Sequence, residues 1–447
     1  MIAAVQKLRR LASGLPRRVG SDVLLRNSLY IMGTTVVNAV GGYLFWIVAA
    51  RTHAAQDVGL AAALISAVTL VTILTNRGIS GALVQSLAGR ASGRAWSLAL
   101  NGGLTAGALA ALLAAVVAVL LLPAVTGQFA VLRHDPVFTA AFLVGAVFWT
   151  IADLLDAAYL AERQAGRVLA RNAATTVCKN LFLLLLLPLG MSGAQVVFGA
   201  AMLGSGGGAI AGVLLVRGLQ RGYQPALRGM TTQARGVLSQ VLGHHVVIVG
   251  SMLPSYLLPV MVTVRLSAAN TAYFYTTWMV GTIFFVISPA VSASLFVEGV
   301  HGTGRLSATA VASGRIIAGM LLPIMAVFLL GGPLILGLFG PNYAHHGESL
   351  LLALILSAVP DAITNVYVAV LRVQRRFREA ATLNLGMAAL VLVLAWFLLP
   401  VWGVAGAGWA WLIAQALGSV WVALRLGLAR IRPETRTPLR QGAERSG

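Results

Sequence analysis

Acidic residues are scarce in this chain: 12 aspartates and glutamates among 447 residues, against 32 lysines and arginines, with charged residues only 10% of the total. A soluble domain carries roughly a quarter charged residues, so an ordinary water-facing surface is excluded, in keeping with a mean hydropathy of +0.87. Cysteine occurs once, as Cys178, which rules out an internal disulfide and any cysteine-based zinc or iron–sulfur centre. Lysine occurs only as Lys7 and Lys179. The Gly-x-x-x-x-Gly-Lys-Ser/Thr loop that cradles ATP phosphates and the His-Glu-x-x-His metal motif are both missing. No enzyme, no metal and no bound cofactor is expected, a coupling Na+ or H+ apart. The net charge of +20 does not indicate nucleic acid, because the arginines lie scattered between apolar runs and form no single stripe.

Long apolar runs are what the chain does have. Read with a window of about 19 residues, it resolves into twelve, near 27–50, 57–76, 96–122, 137–161, 169–189, 193–216, 238–264, 271–297, 308–331, 349–371, 379–400 and 402–425. Each can cross about 30 Å of hydrocarbon as a helix, the only spanning element such runs can build. The expected fold class is an all-α polytopic membrane protein with twelve transmembrane helices. Cationic residues crowd alternate helix ends: Lys7 to Arg26, Arg77 to Arg94, Arg163 to Arg171, Arg217 to Arg235, Arg305 and Arg315, Arg372 to Arg378, and Arg425 to Arg445. The opposite ends receive Arg51, Arg133 and Arg265. With 28 of the 32 basic residues on one face and 3 on the other, both termini are assigned to the cytoplasm of a multi-pass protein of the inner or plasma membrane. The basic stretch that precedes Arg26 lacks a small-residue cleavage site after a short apolar core, and reads as a cytoplasmic arm on anionic headgroups, not a signal peptide.

The two halves echo each other. Tyr43-Leu44, Arg51 and Ala54-Ala55-Gln56 correspond to Tyr256-Leu257, Arg265 and Ala268-Ala269-Asn270 at offsets of 213 and 214, and Leu160 and Arg167 correspond to Leu371 and Arg378 at 211. Six helices per half preserve orientation, so the repeat is parallel, about an axis along the membrane normal. The expected organisation is a basic arm (1–26), an N-lobe (27–216), a cytoplasmic linker (217–237), a C-lobe (238–425) and a basic tail (426–447), the two six-helix lobes enclosing a central cavity. The connections from Pro123 to Pro136 and from Gly331 to Glu348 are the longest on the opposite face, with room for short amphipathic caps.

Ionisable residues inside the runs are few: Asp153 and Asp156 on the fourth helix, Lys179 on the fifth, Arg315 on the ninth and Asp361 on the tenth. Intramembrane charge costs about 2.5–3.5 kcal/mol on insertion scales, so each needs a partner or a watery cavity. The fourth and fifth helices turn near Gly166, and Asp153 and Lys179 stand equally far from it along the chain, one on either side, hence at matching depth. Two readings follow for this group: a structural bridge of Asp153 or Asp156 with Lys179, or a cavity in which Lys179 meets an anionic substrate and an aspartate takes a coupling cation or proton. Asp361 follows Pro360, and either serves function or stays protonated or bonded to Asn365. Arg315 either pairs with Glu298 or snorkels to the surface. Gly41-Gly42 in the first helix align with Pro254 in the seventh, with Pro259 beyond, and paired interruptions of this kind mark moving, site-lining helices, although small-residue packing also accounts for the glycines. The adjacent pairs His244-His245 and His345-His346 suit interfacial hydration more than chelation, and Trp402, Trp409, Trp411 and Trp421 read as interfacial anchors or packing.

The stretch Ala50-Arg51-Thr52-His53-Ala54-Ala55-Gln56-Asp57-Val58-Gly59 resembles a loop of the bacterial polysaccharide flippases. Asn76-Arg77-Gly78-Ile79-Ser80-Gly81-Ala82-Leu83-Val84, read as the passage from the second helix to the third, is similar to that family, as are Glu162-Arg163-Gln164 with Arg167 and Arg372-Val373-Gln374-Arg375-Arg376. The resemblance implies the multidrug/oligosaccharidyl-lipid/polysaccharide exporter superfamily: two lobes, alternating access, and a polyprenyl-pyrophosphate-linked oligosaccharide as cargo. It implies membrane lipids and the glycan polymerase or glycosyltransferases of the same pathway as partners. A pyrophosphate crossing hydrocarbon needs a hydrated cationic path, for which Lys179, Arg77, Arg315 and Arg51 are available, with Asp153, Asp156 and Asp361 for ion coupling and Gly41, Gly42, Pro254 and Pro259 for gating. The alternatives are a cation-coupled multidrug exporter of the same superfamily, a membrane glycosyl polymerase or ligase, and a scaffold. The long outward loop with acid/base residues that a polymerase or ligase would need is missing.

The charge bias makes a direct topological prediction. Reporter fusions after Arg133 and after His346 should behave as extracytoplasmic, and fusions after Arg94, Arg228 and Arg376 as cytoplasmic; a cytoplasmic signal at His346 would overturn the parallel repeat.

Overall fold

The computed structural model describes residues 19–88, 93–217, 223, 242–301 and 306–431. The expected basic arm, linker and tail lie largely outside these residues, as do the side chains of Arg77, His244 and His245. The described chain is built of helices: α1 (Val19–Thr52), α2 (Ala55–Ala88), α3 (Arg94–Val125), α4 (Pro136–Ala161), α5 (Ala165–Leu186), α6 (Gly193–Arg217) and α7 (Leu242–Arg265). There follow α8 (Ala268–Gly281), α9 (Phe284–His301), α10 (Leu306–Gly337), α11 (Pro341–Val373), α12 (Phe377–Trp402) and α13 (Ala405–Ile431). Among the described residues, eleven segments are long and apolar enough to cross a membrane, α8 and most of α9 forming one of them, and α7, apolar over Met252–Arg265, adds a twelfth helix to them.

Local chemistry sets several helix starts. Asp135 caps α4 by accepting a hydrogen bond from the Val137 amide at 2.8 Å, with Pro136 at the first helical position, where its missing N–H costs nothing. Ser267 caps α8 in the same way. Three sequence readings are corrected. Residues 76–84 do not pass from one helix to the next: α2 runs unbroken to Ala88, because nothing in that stretch removes a backbone donor. The connection expected from Gly331 to Glu348 shrinks to residues 338–340, since α10 and α11 continue through both flanks. The run 271–297 is broken at residues 282–283 into α8 and α9.

In the N-lobe α5 packs on α1 and α6, and α4 on α2, α3 and α6; in the C-lobe α11 packs on α8, α9, α10 and α13, and α12 on α7 and α13. The repeat is visible in the turns between α4 and α5 and between α11 and α12. Gln164 donates its amide to the Tyr159 carbonyl and Arg376 to that of Leu371, while Arg163 and Arg375 both take left-handed backbone, φ 56° and 57°. The structural register therefore pairs Arg163 with Arg375 and Gln164 with Arg376, a shift of one position from the register read off Leu160 and Arg167.

The lobes meet toward the arginine-poor face, where α2 packs on α7 and α8. Gly59 makes this possible: a Cβ there would overlap the Ala268 carbonyl oxygen. Side-chain hydrogen bonds cross between the lobes in this half. Arg51 donates to the carbonyls of Leu338 (2.9 Å) and Gly337 (2.7 Å) at the end of α10. Gln128 donates to the Thr263 carbonyl (3.1 Å) and accepts from the Ala268 amide (2.5 Å), bridging α7 to α8, and the Tyr43 hydroxyl donates to the Met279 carbonyl at 3.3 Å.

Gly59→Leu should therefore force α2 and α8 apart and loosen this closure. Spin labels at the exposed positions Ala54 and Asn342, in a Cys178→Ser background, report it; the distance distribution should lengthen and broaden, and an unchanged distribution would show that the glycine contact is not what holds the lobes together.

Candidate functional site

The repeat places one polar cavity in each lobe. The N-lobe cavity, about 320 Å³, is lined by α1, α2, α4, α5 and α6, and Tyr275 of α8 reaches it from the other lobe. The C-lobe cavity, about 560 Å³, is lined by α7, α9, α11, α12 and α13. In the register set by the two turns, Trp149 corresponds to Asp361, Asp153 to Asn365, Asn172 to Asn384 and Lys179 to Val391, and every one of these side chains lines its own cavity. At two of these pairs the shared backbone carries different chemistry: a cation, Lys179, stands opposite Val391, and a carboxylate, Asp361, stands opposite Trp149.

In the N-lobe the polar side chains come mainly from one face of α5. Arg171, Thr175 and Lys179 recur at i, i+4 and i+8, with Asn172 and Thr176 beside them, so a single stripe points inward. Glycines on α6 let α5 approach and aim this stripe; at Gly204 a Cβ would overlap that of Lys179. Arg171, counted from sequence among the cations at the helix ends, is buried within α5 and forms a bidentate pair with Asp156, Nε to Oδ1 at 2.6 Å and Nη2 to Oδ2 at 2.5 Å. Asn172 adds a bond of 3.0 Å to the same carboxylate. Asp156 thus has Arg171 as its partner, and not Lys179 as the depth argument allowed. The helical offset is decisive: Asp156 lies nearer the turn than Asp153, level with Arg171.

Lys179 lines the cavity with its ammonium 5.5 Å from the centre of the Phe45 ring, and no carboxylate stands within ion-pair distance of it among the described residues. Asp153 shares the cavity, together with Asn38, Trp46 and Trp149. Trp46 packs on Tyr275 at 4.7 Å, so the aromatic wall spans both lobes.

In the C-lobe, Asp361 is 6% exposed and held in a neutral cage: Ser288 donates to Oδ2 at 2.6 Å, Asn365 to the same oxygen at 3.0 Å, and Gln415 to Oδ1 at 3.4 Å. Trp411 lines this cavity with its indole N–H buried and unpartnered, so the tryptophan expected as an anchor or packing residue belongs to the cavity wall.

The remaining sequence candidates disperse. Arg51 caps the carbonyls that end α10, and Arg315 stands exposed on α10, lining neither cavity. Gly41 is a packing glycine, where a Cβ would overlap Thr176 Cγ2, whereas Gly42 faces open space. Pro254 lines the C-lobe cavity and Pro259 is buried in α7, its carbonyl accepting from the Thr263 hydroxyl at 3.1 Å. His346 stacks on Tyr273 at 4.4 Å.

No family model matches the chain, and no curated protein matches it in sequence. Solved structures share its fold. An inward-facing multidrug resistance MATE family transporter of the MOP superfamily aligns with a TM-score of 0.65 at 14% identity, covering 89% of this chain and 96% of that one. The lipid II flippase MurJ in an inward closed conformation gives 0.66 at 12% identity, covering 89% and 87%. An outward-facing MATE family transporter of the same superfamily gives 0.57 at 14%, covering 92% and 96%. At such identities the likeness is one of fold, and it is the fold that the flippase-like motifs imply: all-α, polytopic, in two parallel lobes.

The partners found for Asp156 and Lys179 separate their roles experimentally. Asp156→Asn strands a buried guanidinium and should cost about 3–5 kcal/mol, read as a lower melting temperature of the purified protein, while Asp156→Leu with Arg171→Met should recover most of it. Lys179→Met should leave melting nearly unchanged; a loss as large as that of Asp156→Asn would place Lys179 in the structural pair.

Proposed function

We propose that this chain is a membrane transporter that moves a polyprenyl-pyrophosphate-linked oligosaccharide from the cytoplasmic to the outer leaflet by alternating access of its lobes, for assembly of a surface polysaccharide or cell-wall glycan. The observation that carries this reading is Lys179: an ammonium with no carboxylate within ion-pair distance among the described residues, in a cavity that it shares with Asp153 and that Trp46, Trp149 and Tyr275 wall. An unpaired cation in hydrocarbon is costly, and a pyrophosphate offsets that cost through charge-assisted hydrogen bonds. Aromatic faces beside it suit the apolar faces of a sugar ring. MurJ, a lipid II flippase with the same fold, supports a lipid-linked cargo.

With the arginine-rich face in the cytoplasm, contacts concentrated at the other face describe a loading state, in accord with the higher similarity to the inward-facing than to the outward-facing transporter. Proton or Na+ coupling is assigned to Asp361, with Asp153 as a second carboxylate; Asp156 holds Arg171 in place. Arg51 is assigned to closure instead of substrate binding. Gly42, Pro254 and Pro259 remain the proposed gating positions. A second reading, cation-coupled multidrug export, is favoured by Asp361 beside Trp411 in the larger cavity, a combination suited to an organic cation.

The two readings part in proteoliposomes. A fluorescent lipid-pyrophosphate oligosaccharide should change leaflets with wild-type protein, about tenfold or more slowly with Lys179→Ala at equal abundance, and near normally with Lys179→Arg. Transport of a cationic dye, abolished by Asp361→Asn and indifferent to Lys179→Ala, would establish the second reading instead.

A further inference from the structure

The turns that join α4 to α5 and α11 to α12 have the same backbone but different charge. In the C-lobe Arg376 donates twice to Glu379, Nε to Oε1 and Nη2 to Oε2, both at 2.7 Å, so the turn neutralises one of its own arginines. At the corresponding N-lobe positions stand Gln164 and Arg167. The same i to i+3 link forms with its ends exchanged, Arg167 Nε donating to the neutral Gln164 Oε1. Arg167 also donates to the Leu215 carbonyl, which anchors it to α6.

Beside this turn lies a depression of about 430 Å³ on the arginine-rich face, lined by Arg26, Arg163 and Arg167, with Asn27 and Tyr30 as further donors. Its placement is built in. α1 lies along α5, with Gly33 against Leu169, and Gly166 leaves room for the Tyr30 ring, where a Cβ would stand 3.3 Å from Cε2. Arg163 is held in left-handed backbone, φ 56°, and like Arg26 its side chain is exposed. The one acidic lining residue, Glu162, receives the Trp96 indole N–H at 2.9 Å.

We infer that this depression is a docking site for a phosphate or pyrophosphate group carried by a lipid at the membrane surface. The exposed guanidiniums of Arg26 and Arg163, with Asn27 and Tyr30 beside them, supply the forked donors that phosphate oxygens accept, on the arginine-rich face, where basic side chains meet anionic headgroups. The site is separate from the Lys179 cavity and does not depend on what that cavity carries. The chemistry is shared by a polyprenyl pyrophosphate and by an anionic phospholipid headgroup.

Full-length protein purified in detergent can be titrated with a polyprenyl pyrophosphate, with phosphatidylglycerol and with neutral phosphatidylcholine, and retained lipid counted by native mass spectrometry. Arg26→Gln with Arg163→Gln removes two exposed cations whose loss should not unfold the protein. This double variant should lose about tenfold or more in apparent affinity for the anionic lipids and nothing for phosphatidylcholine. Arg375→Gln with Arg378→Gln in the C-lobe turn is the charge-matched control and should bind as wild type. Loss with the pyrophosphate alone identifies the lipid pyrophosphate as the ligand, and equal loss with both anionic lipids identifies a general phosphate headgroup. Unchanged affinity in the N-lobe variant, or the same loss in the C-lobe control, overturns the site. Because the readout is equilibrium binding, it stands apart from transport: retained binding with no glycan translocation would count against the proposed function and leave this site intact.

Discussion

An ionised side chain in hydrocarbon needs a counter-charge, a cage of hydrogen bonds or water, and the interiors of both lobes are arranged around that requirement. Asp156 and Arg171 satisfy it between themselves, with Asn172 on the carboxylate. Asp361 satisfies it with neutral donors, Ser288, Asn365 and Gln415. Lys179 does so incompletely, since the face of Phe45 attracts a cation but returns less than a carboxylate would. A side chain that the fold leaves under-compensated marks where an external anion has most to offer, and this is why Lys179, and not the fully paired Arg171, carries the functional proposal.

The pseudo-twofold repeat makes that contrast interpretable, because each lobe controls for the other. Backbone positions matched by the repeat line both cavities, yet Lys179 faces Val391 across the symmetry and Trp149 faces Asp361. Packing alone would have tolerated apolar residues at all four places, as Val391 and Trp149 demonstrate. The same logic applies at the turns, where Gln164 and Arg167 replace Arg376 and Glu379 on unchanged backbone. Differences confined to side chains on a repeated scaffold locate chemistry that the scaffold itself does not require.

Much of the architecture was legible in the sequence because hydrocarbon imposes a strong rule: continuous apolar runs become helices, and arginines collect at alternate ends. The residues that broke the reading did so for local reasons. Arg171 counts among the helix-end arginines because it lies near a basic turn, although its spacing of four and eight from Thr175 and Lys179 puts it on an inward stripe of α5, a signal present in the sequence. Depth matching brought Asp153 and Lys179 to one cavity, but could not choose between neighbouring carboxylates a single turn apart. Arg51 looked like a substrate cation from its flippase-like motif; only the tertiary structure reveals that the carbonyls ending α10 occupy its donors. In the same motif Gly59 proved to be the point where α2 and α8 nearly touch, a relation between lobes that no local pattern encodes.

Closure at the arginine-poor face has an energetic scale suited to switching. Apolar helix faces gain little by association in lipid, since the tails are equally apolar, so close packing and hydrogen bonds decide the balance. Arg51, Gln128 and Tyr43 together make five bonds between the lobes. At about 0.5–1.5 kcal/mol each, they amount to roughly 5 kcal/mol, close to the about 5.5 kcal/mol that carries a two-state equilibrium from one extreme to the other. A single bond would leave the closed state barely preferred, while a large buried salt-bridge network would hold it too firmly for a bound ligand to reverse. Carbonyl acceptors at helix ends fit this intermediate range, because water can satisfy them as soon as the lobes part. The latch therefore holds one conformation without burying a charge that its opening would strand.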